Sequence, residues 1–264
     1  YTDAACTNSV SGSPFTTGAD GTVTVSGLQK GTYYAKEIST DDPYWEFDTA
    51  VKSVTVAISK TTEVTFTNTH YGRIEIRKTT NTGNQLGGWT FRVRDSEGNS
   101  YGDFTTDENG YACTQNLPLG WYTVVELPTE DNYWLTELGF HDVTVKAGET
   151  TVDTWLNKEQ GLVWFYKKTN TGQSVEGWHI TVYSDEACTQ KVGTLITNAD
   201  GKAGYYLDPG IYWAKETGDE HGRFEDEYWM VDETVHKFEI KPHEDVSITF
   251  TNVQYGRLKI SKTV

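Results

Sequence analysis

The chain has 264 residues, with 22 Lys and Arg against 38 Asp and Glu, giving a formal charge of -16 and a pI near 4.7. Such an acidic chain repels nucleic acid and anionic membranes, and it has no apolar run of the roughly 18 residues that a spanning helix needs, so neither is expected as a partner. The six His show no metal-ligand spacing, so no metal and no cofactor is expected.

From the N-terminus, residues 1–70 read as an incomplete module. Tyr1-Thr-Asp-Ala-Ala-Cys6-Thr matches Tyr183-Ser-Asp-Glu-Ala-Cys188-Thr far inside a later repeat, so this module starts about two strands in and has no Lys-bearing strand. It does carry Asp20-Gly21, Tyr33-x-x-x-Glu37, Tyr44-Trp45 and Asn68. Residues 71–159 form a complete module. Alternation over Arg73-Ile-Glu-Ile-Arg, Trp89-Thr-Phe-Arg-Val-Arg, Tyr122-Thr-Val-Val-Glu, His141-Asp-Val-Thr-Val and Thr151-Val-Asp-Thr-Trp-Leu predicts short strands with one dry face. Asp-Ser-Glu-Gly-Asn, Asp-Glu-Asn-Gly, Leu-Pro-Leu-Gly and Lys-Ala-Gly-Glu supply the turns between them. Residues 160–254 repeat the pattern, with Gly177-Trp178 after Gly88-Trp89, Asp200-Gly201 after Asn109-Gly110, and Tyr228-Trp229 after Tyr133-Trp134. Residues 255–264 look like the first strand of a further module, or a donor strand for the open first module of another molecule. The first of these readings makes the chain a segment of a longer array.

About seven strands per module, and no helical periodicity, predict an all-β chain of tandem small sandwiches arranged as a rod. Cys6 and Cys188 are equivalent positions in different modules and Cys113 has no evident partner. No disulfide within a module is therefore expected, and another staple is needed. Tyr33, Tyr122, Tyr212, Trp89 and Trp178 are expected in the core. Trp45, Trp134 and Trp229 read either as rings packed under a loop or as stacking platforms for glycans at a module tip.

The junctions carry the chemistry. Asn68, Asn157 and Asn252 each stand four residues before Gly72, Gly161 and Gly256, and Lys78, Lys167 and Lys262 stand six residues after those glycines. Upstream recur Tyr33-x-x-x-Glu37, Tyr122-x-x-x-Glu126 and Tyr212-x-x-x-Glu216. If the first and last strands of a module are neighbours, Lys78 meets Asn157 beside Glu126, and Lys167 meets Asn252 beside Glu216. A buried lysine tends toward the neutral, nucleophilic amine. A buried Glu stays protonated, donates to the amide oxygen and shuttles protons as ammonia leaves. Proximity set by folding supplies much of the rate. The competing reading is that these are routine polar residues at strand ends.

These junctions, the Tyr122-Thr-Val-Val-Glu126 and Tyr212-Trp-Ala-Lys-Glu216 strands, and Val182-Tyr-Ser-Asp-Glu-Ala-Cys-Thr resemble the collagen-adhesin B-type, or SpaA-like pilin, repeats of Gram-positive surface proteins over nearly the whole chain. The resemblance implies a prealbumin-like or reverse immunoglobulin-like sandwich and a Lys-to-Asn isopeptide bond assisted by an acid. By motif position it assigns Lys78 and Lys167 as reactive lysines, Asn157 and Asn252 as acceptors, and Glu126 and Glu216 as catalytic acids. Glu37 and Asn68 match without a lysine, and Lys262 matches without its module, an incomplete or in-trans set. The implied function is a stalk segment of a surface adhesin or pilus-like protein, self-crosslinking once and not an enzyme. It would lie outside the cell, anchored to the wall through a region outside this chain. The alternatives are a module binding glycan or host matrix, and a fibre subunit crosslinked through the C-terminal strand. Expected partners are a host surface or matrix protein or glycan, reached through regions outside the chain, and other copies joined head to tail.

Overall fold

A computed structural model describes residues 1–38 and 42–263. In the first repeat β1 (Gly31–Ala35) pairs with β3 (Lys52–Val56), and β2 (Trp45–Glu46) pairs with β4 (Thr69–His70). The second repeat contains β5 (Arg73–Thr80), β6 (Thr90–Asp95), β7 (Ser100–Thr105), β8 (Tyr111–Cys113), β9 (Gly120–Glu126), β10 (Trp134–Leu135), β11 (His141–Val145) and β12 (Thr150–Glu159). Its two sheets have the orders β10-β12-β5-β8 and β11-β9-β6-β7. The third repeat contains β13 (Gly161–Thr169), β14 (Trp178–Tyr183), β15 (Lys191–Ile196), β16 (Lys202–Leu207), β17 (Gly210–Asp219), β18 (Trp229–Met230), β19 (His236–Ile240) and β20 (Asp245–Gln254). Its sheets have the orders β16-β13-β20-β18 and β15-β14-β17-β19, so the tandem all-β sandwich architecture read from the alternation is present.

Period-two alternation explains which side chains go inside. Along β5 it buries Ile74, Ile76 and Lys78, and along β12 Asp153, Trp155, Asn157 and Glu159. The third repeat does the same with Val163, Phe165 and Lys167 on β13 and Ile248, Phe250 and Asn252 on β20. Each lysine and asparagine thus continues an apolar stripe. Facing sheets contribute Phe91, Val93, Tyr122 and Val124 to one core, and Ile180, Val182, Ala214 and Phe238 to the other. Fully burying one such large side chain contributes roughly 1.5–3 kcal/mol, which gives each sandwich its own core.

The first and last strands of each complete repeat are neighbours and run parallel. Trp155 faces Lys78 and Asn157 faces Thr80 across β12 and β5. Phe250 faces Lys167 and Asn252 faces Thr169 across β20 and β13. Lysine and asparagine therefore sit two positions out of register on the same face, diagonal partners that long side chains span.

The repeated landmarks now have physical reasons. Tyr33, Tyr122 and Tyr212 each donate their hydroxyl to the carbonyl four residues back, at 3.1, 2.8 and 2.9 Å. Tyr122 is buried and Tyr212 is half-buried against the core of its repeat, whereas Tyr33, expected in a core, is half-buried in a repeat with no buried apolar residue among those described. Trp89 and Trp178 are buried and donate their indole N–H to Gln85 and Ser174, both at 2.8 Å. A side chain at Gly72 or Gly161 would overlap the Lys146 or Lys241 carbonyl oxygen, where a neighbouring turn crosses the junction. Cys6, Cys113 and Cys188 are free. Residues 256–263, expected as a strand, belong to none and leave Leu258 and Ile260 exposed. A lone extended segment has no ladder partner to order it. Val264, the end of that expected strand, lies outside the described residues.

Candidate functional site

In the second repeat Lys78 Nζ donates to Glu126 Oε1 at 2.6 Å, and Asn157 Nδ2 donates to the same oxygen at 2.9 Å. The side chains of Lys78 and Glu126 are 0% and 2% exposed, and Asn157 is fully buried. Aromatic rings form the wall: the ammonium lies 4.7 Å from the Trp89 ring centre and 5.7 Å from that of Phe91. In the third repeat Lys167 Nζ donates to Glu216 Oε1, with both side chains fully buried, and Trp178 lies 4.4 Å from the nitrogen. Asn252 is buried alongside, but its Nδ2 has no hydrogen-bond partner, unlike that of Asn157.

Burial dominates the electrostatics. It pushes the Lys78 amine below the ordinary lysine value against the pull of Glu126, and the Lys167 amine down to about 8 against the pull of Glu216. Burial raises the Glu216 carboxyl, with Lys167 and Asn252 opposing it. Both shifts favour the neutral amine and neutral acid. Removing a carboxylate and an ammonium from water costs several kcal/mol each, and an apolar pair of similar size would serve stability as well. Two such pairs nevertheless occupy the same place in two cores.

The backbone completes each site. Glu137 N–H donates to Asn157 Oδ1 at 3.1 Å, and Asp232 N–H donates to Asn252 Oδ1 at 2.7 Å. An N–H only donates, so the amide oxygen must face it and the amide nitrogen must face the glutamate side. This differs from the expectation that Glu126 and Glu216 donate to the amide oxygen. In the second repeat the carboxylate instead meets the amide through its nitrogen, and in both repeats the segment before β11 or β19 has already taken the oxygen. One oxygen each of Glu126 and Glu216, Oε2, is buried without a hydrogen bond.

The remaining candidates are placed as follows. Asn68 Nδ2 donates to Glu37 Oε1 at 2.6 Å, and Asp48 N–H donates to Asn68 Oδ1 at 3.0 Å. Among the described residues no lysine nitrogen bonds to either Glu37 or Asn68. Lys262 is exposed in the strandless segment and is not brought to them. Trp134 is buried and packs edge-on to Trp89 at 5.0 Å, Trp229 packs on Trp178 at 5.5 Å, and Trp45 stacks on His70 at 4.0 Å. The contacts of Trp134 and Trp229 favour packing over a glycan platform, whereas Trp45 stays exposed. Among the described residues no group of three His, Cys, Asp or Glu could hold a metal ion.

Sequence reasoning missed Asp48, Glu137 and Asp232. Each lies 20 residues before its asparagine, an interval that would have exposed them. It also missed why Asn109-Gly110 and Asp200-Gly201 recur. Lys78 N–H donates to Gly110 O and Lys167 N–H to Gly201 O, both at 2.7 Å, so this turn grips the backbone of the lysine.

The chain belongs to the SpaA prealbumin-like fold domain family, whose model matches residues 4–70, 72–159 and 163–256. It is therefore a tandem array of the domains found in Gram-positive pilins and adhesins. Among solved structures it is similar to the Bacillus anthracis TIE protein, at 22% identity and a TM-score of 0.37 over 78% of this chain and 38% of that one. It is also similar to a streptococcal ancillary pilin, at 20% identity and a TM-score of 0.38 over 87% and 77% of the two chains. For GBS52, the minor pilin of Streptococcus agalactiae, the values are 14%, 0.31, 73% and 100%. The chain thus spans well under half of the Bacillus anthracis protein. No curated protein matches it significantly.

Proposed function

We propose that this chain is a tension-bearing segment of a bacterial surface stalk, whose second and third repeats each close with a Lys-Asn isopeptide bond, Lys78 to Asn157 and Lys167 to Asn252. The observation that carries this reading is the buried oxygen of Glu126 that accepts from both Lys78 Nζ and Asn157 Nδ2. A carboxyl placed between a nucleophilic nitrogen and a leaving nitrogen can move a proton from one to the other.

With the pair as neutral amine and neutral acid, Nζ attacks Cγ and the Nζ–Cγ bond forms. The carboxyl gives its proton to Nδ2 and receives one from Nζ. The Cγ–Nδ2 bond then breaks, ammonia leaves, and the carboxyl is again protonated. No oxidant or cofactor enters the balance. Folding supplies the alignment and aromatic walls exclude water, so one turnover suffices.

Because β5 and β12 are parallel neighbours, a pull on the two ends of the repeat shears their ladder. A Lys78-Asn157 bond carries that pull directly from one strand to the other and leaves residues 79–156 outside the path.

Intact-mass measurement tests the proposal. Each bond lowers the mass by about 17 Da, the ammonia lost on amide exchange, so the chain is expected to show two such deficits. An unshifted mass overturns the crosslinks. A third deficit or a covalent ladder in denaturing gels points instead to Lys262 reacting with Asn68 of another molecule.

A further inference from the structure

We propose that the backbone N–H groups of Glu137 and Asp232 are the oxyanion donors for the acceptor amides, and that the carboxylates of these two residues are positioning groups that hold the donors in place. The inference rests on the crosslinking reading above.

When Nζ adds to Cγ, the carbonyl electrons move onto Oδ1 of the asparagine. In a fully buried site that developing charge meets no water, and the donors facing it are the N–H groups at 3.1 and 2.7 Å. A preorganised donor of this kind typically changes a rate by about 10²–10³-fold.

Both donors lie in connecting segments, after β10 and after β18, where a peptide plane needs an anchor. The donor's own side chain provides it. Glu137 Oε2 accepts from Leu156 N–H at 3.1 Å, and Asp232 Oδ2 accepts from Thr251 N–H at 3.1 Å. Leu156 and Thr251 immediately precede the acceptor asparagines. One residue therefore grips the acceptor twice, at its side-chain oxygen through an N–H and at its preceding peptide through a carboxylate. Asp48 repeats the N–H contact to the asparagine oxygen in the first repeat, while its carboxylate accepts from Ala50 N–H at 3.0 Å and Lys52 Nζ at 2.6 Å.

The acid is present despite an adverse field. The Glu137 and Asp232 charges favour the ammonium forms of Lys78 and Lys167 and so work against the nucleophile. Electrostatics alone would make alanine here the faster choice, whereas loss of the clamp makes it the slower one. The two accounts predict opposite signs.

The test uses the full chain, collected unreacted in urea from inclusion bodies and refolded by dilution, with aliquots quenched in acid for intact mass. Expected for Glu137→Ala and Asp232→Ala is a fall of about 10-fold or more in ammonia loss from the altered repeat only, since an unanchored donor forfeits part of its about 10²-fold effect. Glu137→Gln and Asp232→Asn keep an acceptor oxygen for Leu156 and Thr251 and are expected to restore a rate at or above the original. The same Ala substitutions in a Lys78→Met, Lys167→Met chain should retain cooperative unfolding, which separates positioning from a failure to fold. Ala variants that react as fast as the original chain, or faster, overturn the inference while leaving the crosslinks standing. Amide variants as slow as the Ala variants also overturn it. An original chain that never loses ammonia overturns the crosslinking reading itself.

Discussion

His243 belongs to the third repeat and Glu159 to the second, and their side chains meet at 2.6 Å with Asp131 on the other ring nitrogen at 2.8 Å. The imidazole also faces the rings of Tyr133 and Trp134, at 5.1 and 5.6 Å. His243 has a φ of 54°, and the equivalent position at the preceding joint is Gly148, with a φ of 66°. A non-glycine residue there costs of order 1 kcal/mol, which the two carboxylates offset.

Partial burial disfavours the His243 charge, but Asp131 and Glu159 outweigh it and raise the imidazole above its ordinary value. A raised folded value means that the stabilisation is fully present below the unfolded value, about 6.5, and is lost as pH rises through the folded one. His243→Gly removes the contact and relieves the backbone. The expected outcome is that the original chain's advantage over this variant in thermal unfolding is largest in mild acid and shrinks above neutrality. A difference independent of pH would contradict the ion-pair account of the joint.

The crosslinking rate in the third repeat should be bell-shaped in pH. A doubly protonated Lys167–Glu216 pair has no nucleophile, and a fully deprotonated pair has no acid for the leaving nitrogen. The reactive form holds one proton between the two groups, so its limits belong to the pair. With the Lys167 amine lowered to about 8, the rate should fall as pH rises through that value. On the acid side it should rise through the elevated Glu216 value. Refolding unreacted chain at a series of pH values, read by mass, checks both limbs.

Glu126→Ala should leave one ammonia deficit in place of two and confine the loss to the second repeat. The missing bond reopens residues 79–156 as a free loop in the unfolded state, a change worth about 4 kcal/mol on the chain-entropy model. Thermal unfolding should show one repeat melting earlier and the other unchanged. Two ammonia deficits in the variant, measured against its own calculated mass, would falsify the assigned role of Glu126.

Gly201→Ala probes the turn behind Lys167. The residue has a φ of 69°, and a side chain there would press on the Lys167 carbonyl oxygen and Val175. The left-handed backbone alone costs about 1–3 kcal/mol. The expected result is a lower melting temperature and slower ammonia loss, because the lysine backbone shifts from its register with Asn252. Gly222→Ala, at a φ of 74° with open space around it, supplies the control for backbone strain without crowding.

The Lys78, Glu126 and Asn157 set was legible because each role demands a particular functional group at a fixed phase, and alternation put all three on a dry face. Parallel pairing of β5 with β12 could be anticipated only as a condition, since register depends on contacts between distant strands. Glu137 and Asp232 escaped notice for a different reason. Their contact with the acceptor is a backbone N–H, which every residue but proline owns, and the side-chain requirement is met by two residue types of different length. His243 was unreadable because its partners lie in another repeat and the preceding joint solves the same position with glycine.

Between β12 and β13 stands only Gln160. Its N–H donates to Tyr133 O at 2.7 Å, its carbonyl accepts from His243 N–H at 3.0 Å, and its side chain donates to Asp208 at 3.1 Å. The connector is thereby fastened to the repeat behind it and the repeat ahead of it, leaving no bond about which one sandwich can spin freely against the next. A twist of one of these two sandwiches against the other must therefore break hydrogen bonds at Gln160.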